Sequence, residues 1–435
     1  TFYIDENGSL WGVGVNWYGA LGNGDGASRS KFEKVVSGWV ASVGTRDSHS
    51  YFIKEDGSLW GMGYNNNGQL GIGFLGGFRS TPVEIVDHGV IDIAVGWEHT
   101  LFLKHDGSLW GMGRNINGQL GIGNYNRQPS PVLIIDGNVT QIACSGESSY
   151  ALKKDGSLWS WGHNGSGRLG DGTSTKRNLP VKVVDENVTS ISCIAAHLVL
   201  VKKDGSAWGF GNNWDGRIGD GSWNHRSNPV KIIDENVTAV IAGNGNSYFL
   251  KNDHSLWAVG TGKFGAFGID TKNNYNQPVL IAENVDRAFA GANNVFYTHF
   301  DNRLKGMGES QYFLFGQEGE FYHYQPIEIL DANVSAVTSG DQHSVILKSD
   351  GSVWTMGRDW ESRLGNGSAD RWESEFQKIV EENVTHISSH YRHTLIIKND
   401  GSLWAFGANW NGQLGDGSQS HRNVPKKIVD GNVTV

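Results

Sequence analysis

The chain has 435 residues, with 36 Lys plus Arg against 45 Asp plus Glu, and its formal charge of −9 argues against a general attraction to nucleic-acid phosphates or anionic lipid. Its 61 glycines and 17 tryptophans, with few stretches of good helix formers, point away from a helical bundle and toward an all-β chain. No run of eighteen apolar residues occurs, so no membrane-spanning helix is expected.

Length alone suggests two or three domains, but internal repetition takes precedence over that division. Thr1 enters partway through a repeating unit, at its second strand. From there a Gly-Ser-Leu-Trp core recurs, its last position falling at Trp11, Trp60, Trp110, Trp159, Trp208, Trp257, Lys305, Trp354 and Trp404, 48 to 50 residues apart. The third copy gives the complete unit: strands are predicted over Val90 to Val95, His99 to Lys104, Ser108 to Gly113 and Val132 to Ile135. Asp106-Gly107 supplies the positive φ angles of a tight hairpin between the second and third strands. A long Gly-rich loop separates the third from the fourth.

Four short β-rich runs per repeat describe a propeller blade. Residues 1–435 are therefore expected to form one β-propeller domain of nine four-stranded antiparallel blades. Pro82, Pro131, Pro180, Pro229, Pro278, Pro326 and Pro425 each stand just before the fourth run, which suits a strand that starts at a sheet's outer edge. The column tryptophans are expected to pack between blades. Cys144 and Cys193 occupy one position in neighbouring repeats and read as small core residues of the first strand, not as a disulfide or metal site. Lys305 breaks the tryptophan column inside the most divergent stretch, Gly260 to Tyr324. At the far end, Asn432-Val433-Thr434-Val435 supplies the start of a first strand, which is expected to complete the N-terminal blade and close the ring.

Leu103 to Gly123 has the form Leu-Lys-x-Asp-Gly-Ser-Leu-Trp-x-x-Gly-x-Asn-x-x-Gly-Gln-Leu-Gly-x-Gly. This pattern resembles the repeat of the regulator-of-chromosome-condensation family, and the resemblance extends over essentially the whole chain. It implies a propeller, usually of seven blades, in members that act as nucleotide-exchange factors for a small GTPase, as chromatin binders or as interaction scaffolds. This chain departs from that pattern in its nine units, its acidic balance and its lack of a basic tail.

In an up-and-down meander the turn between strands one and two shares a face with the long loop between strands three and four. On that turn, the two positions before a histidine column differ in every repeat: Asp47-Ser48, Trp97-Glu98, Gly146-Glu147, Ala195-Ala196, Asn244-Gly245, Ala292-Asn293, Asp341-Gln342 and Tyr391-Arg392. A concavity lined by such mixed polar and aromatic groups is typical of ligand sites. Trp97, Asn244, Asn293, Gln342, Tyr391 and Arg392 are accordingly binding candidates. In the long loop, six residues after the column tryptophan, come Trp17, Trp214, Trp360 and Trp410, whose rings suit stacking on a sugar or on a partner protein.

The first expectation is thus a polysaccharide-binding propeller, extracellular or at the cell surface, and monomeric. The alternatives are a glycoside hydrolase using two of Asp47, Glu98, Glu147 and Asp341, and a protein-interaction scaffold. A second acidic group, Asp359, Glu361, Glu373 and Glu375, surrounds Trp360 and Trp372. No cofactor, metal or nucleic acid is expected: His49, His99, His197, His343 and His393 lack zinc-ligand spacing and are given a hydrogen-bonding role within each blade. The Asn-Val-Thr triplets at Asn138, Asn187, Asn236, Asn383 and Asn432 have the form of glycosylation sites but read as strand-entering turns of the repeat.

Overall fold

The structure is a computed structural model that describes all residues except 47, 195, 264, 270–271, 291–293, 310–321, 331–332, 341, 369–371 and 435, and the side chains of 290 and 372–374. It contains nine four-stranded antiparallel sheets, the blades of a β-propeller, each a simple meander. The expected third copy is found as Val90–Val95, His99–Lys104, Leu109–Gly113 and Gln128–Ile135, which makes it the third blade in chain order. The first blade is built from both ends of the chain, with Ile4 opposite Thr434 and Asp5 opposite Val433. Val435 lies outside the described residues.

Two compact units divide the blades. Unit 2, residues 41–263 and 272–284, carries the second to sixth blades; unit 1, residues 1–40, 264–271 and 285–435, carries the seventh to ninth and the first. Within each unit the core lies between neighbouring blades. Tyr150, Leu152 and Leu158 of the fourth blade, for example, meet Leu198, Leu200 and Phe210 of the fifth.

The hairpins follow the sequence closely. Gly107 has φ +79, and a Cβ there would stand 2.7 Å from the Asn138 backbone nitrogen, so both conformation and space demand glycine. The Asp106 carboxylate accepts the Ser108 N–H at 2.8 Å and sets the turn. The Asn-Val-Thr triplets are structural in both polar members. Asn138, Asn187, Asn236, Asn383 and Asn432 all adopt φ between 63 and 70, where asparagine is tolerated. The threonine hydroxyl then donates to a second-strand carbonyl, as from Thr140 to Leu152 at 3.2 Å.

Two local expectations need correction, and a third, on the tryptophans, is borne out with a refinement. The prolines do not precede the fourth strand but lie inside it: Gly111 pairs with Val132 and Gly113 with Gln128, leaving Pro131 in a bulge where no ladder N–H is required. The column tryptophans do pack against the inter-blade cores, as Trp208 does against the cluster of the fourth and fifth blades, yet they stay partly exposed. Trp208 donates to Ser206 Oγ at 2.8 Å and is covered on its outer face by Lys202 at 4.6 Å. Finally, the histidines tie blades together instead of serving within one. His99 Nε2 lies 3.1 Å from Ser149 Oγ, His197 Nε2 lies 3.1 Å from Ser247 Oγ, and His343 Nε2 lies 3.2 Å from Thr394 Oγ1, each pair spanning two neighbouring blades. Because Ser149 donates its own proton to the Gln119 carbonyl, it accepts from His99, whose Nε2 is therefore protonated. Burial pushes His99, His197, His343 and His393 down to about 3, so all four are neutral.

Candidate binding surface

The loop between strands three and four has almost no secondary structure and is held instead by one buried amide. Asn115 accepts the Leu120 N–H at 2.9 Å and donates to the Asn124 carbonyl at 2.9 Å. Asn16, Asn65, Asn164, Asn213 and Asn409 accept equivalent N–H groups in their own blades. In three blades an ion pair staples the same loop: Asp171 with Arg177, Asp220 with Arg226, and Asp416 with Arg422. Six of these loops lean on the next blade of their own unit, where the Gly417 N–H, for instance, donates to the Ser30 carbonyl at 2.6 Å. A fixed scaffold thus presents the residue six positions after the column tryptophan to solvent.

In unit 2 the turn carboxylates are drawn together around one cation. Arg114 Nη1 pairs with Glu98 and lies 3.4 Å from Glu147 Oε1. Asn67 and Asn117 donate to the same two carboxylates at 2.9 and 2.8 Å. Trp97, 56% exposed, is bound through its backbone to Gly146 of the next turn. Trp214 is 73% exposed and lies against His225 with ring centres 5.2 Å apart. Burial first, and then Arg217, lowers the His225 pKa. Asn244 is exposed and offers its carbonyl to Arg217 at 2.7 Å, while Arg217 also pairs with Asp215. Asp47 lies outside the described residues.

Unit 1 carries a different cluster. The Arg358 guanidinium stacks 3.4 Å from the centre of the Trp360 ring. Glu361, beside it in the chain, accepts from Arg392 of the ninth blade at 2.8 Å, and Arg392 in turn sits 5.8 Å from the Trp410 ring centre. Arg358, Trp360, Glu361, Arg392 and Trp410 therefore form one continuous cation and aromatic surface over two blades. Its aromatics are open to solvent: Trp360 is 51% exposed, Trp410 54% and Tyr391 67%, and Trp17 on the following blade is 67% exposed. Gln342 anchors its edge, accepting from Arg358 and Arg363 at 3.2 Å each. Asp341 and Asn293 lie outside the described residues.

In the second acidic group, the two carboxylates on either side of Trp360 are both engaged. Asp359 is fully buried and takes the place of the loop asparagine, accepting the Leu364 N–H at 3.0 Å and the Ser368 hydroxyl at 2.7 Å. Glu361 belongs to the arginine cluster, Glu375 is exposed, and the Trp372 and Glu373 side chains lie outside the described residues.

Chemically, the two units differ in what their charges face. Glycoside hydrolysis needs space between two carboxyl groups for the scissile bond or a water. Between Glu98 and Glu147 that space holds Arg114. Among the described residues no group of three or more His, Cys, Asp or Glu is placed to hold a metal, and no helix is long and apolar enough to cross a membrane. Sequence reasoning named Arg392 but overlooked the other arginines. Arg168, Arg217 and Arg363 replace the glutamine of the Gly-Gln-Leu-Gly loop motif in three blades, and that departure from the repeat was the available signal.

A family model for the RCC1-like domain matches residues 137–435. Two models of the regulator of chromosome condensation (RCC1) repeat match residues 56–103 and 106–152, and 40–69 and 90–119. Among solved structures, human WBSCR16 is similar at 19% identity over 86% of this chain and 94% of that one, with a TM-score of 0.53. Prp20p from Saccharomyces cerevisiae is similar at 18% identity over 84% of each chain, with a TM-score of 0.50. No curated protein sequence matches. At these identities the likeness is one of fold.

Proposed function

The chain belongs to the regulator of chromosome condensation (RCC1) repeat family, and from that premise we propose that it is a protein-binding propeller which recognises an acidic partner segment. The observation that carries this reading is the continuous surface of Arg358, Trp360, Arg392 and Trp410, with Tyr391 beside it. Tryptophan, tyrosine and arginine are the residue types that dominate binding energy at protein interfaces. An exposed ring already stacked by a guanidinium presents a rigid cationic edge to a carboxylate. Prp20p, which shares the fold, is described together with its binding to Gsp1p and histones, a precedent for protein partners on this architecture.

The polysaccharide reading draws on the same tryptophans. One face of Trp360 is covered by Arg358, which leaves less of that ring for sugar stacking. For the pair Glu98 and Glu147 the hydrolase reading is disfavoured by the position of Arg114. The test is selection of peptides from an unbiased display library on the intact protein, with arrayed neutral and acidic polysaccharides in parallel. Selected peptides rich in Asp and Glu, lost with Trp410→Ala, are expected. Retention of a polysaccharide with no peptide selected would overturn the proposal in favour of a glycan.

A further inference from the structure

Three loop tryptophans of unit 1, Trp360, Trp410 and Trp17, hold the same repeat position in consecutive blades, the eighth, ninth and first. Each directly follows the buried side chain that pins its loop: Asp359, Asn409 and Asn16 accept the N–H groups of Leu364, Leu414 and Leu21 at 3.0, 3.0 and 2.8 Å. The junctions between these blades also match. A Cβ on Gly407 would stand 3.4 Å from the Cα of Arg363, and one on Gly14 would stand 3.3 Å from the Cα of Gln413, so each loop closes on the next blade at a glycine of its third strand. The Gly367 N–H donates to the Asn423 carbonyl and the Gly417 N–H to the Ser30 carbonyl, both at 2.6 Å. One local geometry thus carries an exposed indole from blade to blade, and the surface of Arg358, Trp360, Arg392 and Trp410 continues onto the first blade.

What changes along the row is polarity. Four residues after the column tryptophan stand Arg358, Ala408 and Val15, and seven after it stand Glu361, Asn411 and Tyr18. Arg358 caps Trp360, Ala408 is buried, and Val15 is 38% exposed. Tyr18 is 47% exposed with φ +62, a left-handed conformation that bulky side chains seldom adopt. Glu361 has the same backbone form, with φ +63, so the loop imposes it and an aromatic at that position stores strain. Among the described residues of the arginine cluster, Arg358, Arg363 and Arg392 outnumber Glu361 and the buried Asp359, which leaves its charge positive. The row therefore runs from a cationic end in the eighth and ninth blades to an exposed apolar end of Val15, Trp17 and Tyr18 in the first.

We propose that the partner segment is acidic at one end and apolar at the other, its carboxylates facing the cluster of Arg358 and Arg392 and its apolar side chains packing on Trp17 and Tyr18. The inference rests on the reading of unit 1 as the acidic-partner surface and adds to it the composition and order of that segment. Attraction to the cationic end acts through excess charge and needs no vacant N–H. At the other end the exposed aromatic rings gain by losing contact with water.

Three fluorescein-labelled peptides test this by anisotropy on the intact protein: six alternating Asp and Glu residues alone, the same with Phe-Leu-Phe at its amino end, and the same with Phe-Leu-Phe at its carboxyl end. At least one extended peptide is expected to bind at least about tenfold tighter than the acidic one. Trp17→Ala is expected to remove that gain, Tyr18→Gly to reduce it, and Trp214→Ala in unit 2 to leave it in place. Arg392→Gln is expected to weaken acidic and extended peptides alike. Thermal melts separate loss of binding from loss of fold. An acidic peptide that binds but gains nothing from either extension, or a gain that survives Trp17→Ala in a folded protein, would overturn the inference and leave the reading of the arginine cluster standing. No binding by any of the three, or binding indifferent to Arg392→Gln, would overturn that reading together with the inference.

Discussion

Units 1 and 2 are built from the same repeat, and their buried columns are interchangeable. His343 reaches Thr394 in unit 1 as His99 reaches Ser149 in unit 2, and Asn409 holds its loop as Asn115 does. Their solvent-facing positions have diverged. Unit 2 turns its carboxylates inward on Arg114, whereas unit 1 aligns arginines and aromatics along an exposed surface. The repeat thus separates stability from recognition: conserved chemistry inside the blade holds the fold, and the few free positions at loop tips are available for binding.

The largest effect expected on that comparison is one that spares neither unit. Because folded-state pKa values of about 3 for the four buried histidines lie below the ordinary value of 6.5, their protonation favours the unfolded chain. The stability they leave intact above pH 6.5 is lost as pH falls toward 3, at about 1.4 kcal/mol per pH unit for each histidine. Asp171 and Asp416 act in the same direction lower down. Burial alone raises both, but hydrogen bonds outweigh it, from Arg177 and Thr173 for Asp171 and from Ser418 and Arg422 for Asp416, so both sit below the usual carboxylate range. Denaturant midpoints should hold level from pH 8 to about 6.5 and then fall steadily toward pH 4, and a flat profile throughout would show the histidines to be accessible.

A smaller loss is expected from Asn115→Ala. It strands the buried Leu120 N–H and costs roughly 1–3 kcal/mol, and Asn409→Ala in unit 1 should cost a similar amount. A marked difference between the two would mean that the loops are not equivalent scaffolds. Smallest of all is Glu98→Gln. Glu98 and Arg114 are about 30% exposed, at 33% and 27%, and such pairs contribute about 0–1 kcal/mol. Loss of several kcal/mol, or release of reducing ends from a polysaccharide by the parent protein and not by Glu98→Gln, would restore a central role to that carboxylate.

Sequence alone made the blade legible because eight of the nine blades repeat the column tryptophan at nearly constant spacing, and it identified the shared face because a meander leaves no other arrangement. It did not reveal the partners of the histidines, since a hydrogen bond from His99 to Ser149 crosses 50 residues into the next repeat. The prolines misplaced the fourth strand because a bulge lets one sit inside it, as Pro131 does. Trp360, Trp410 and Arg392 were recognisable as exposed candidates, but the sequence did not show that Arg358 turns back onto Trp360 two residues on, or that Arg392 reaches Glu361 of the neighbouring blade and the Trp410 ring. Asp359 shows the opposite error: an acidic residue beside a tryptophan looked functional and proved to be the loop's buried acceptor.

The central claim is that recognition belongs to the unit 1 cluster. It is tested most directly by measuring the affinity of one selected acidic peptide for Trp410→Ala and Arg392→Gln in unit 1, and for Trp214→Ala and Arg217→Gln in unit 2. The account predicts a loss of at least about tenfold for each unit 1 variant and little change for the unit 2 pair. Equal losses in both units, or a loss confined to unit 2, would contradict it.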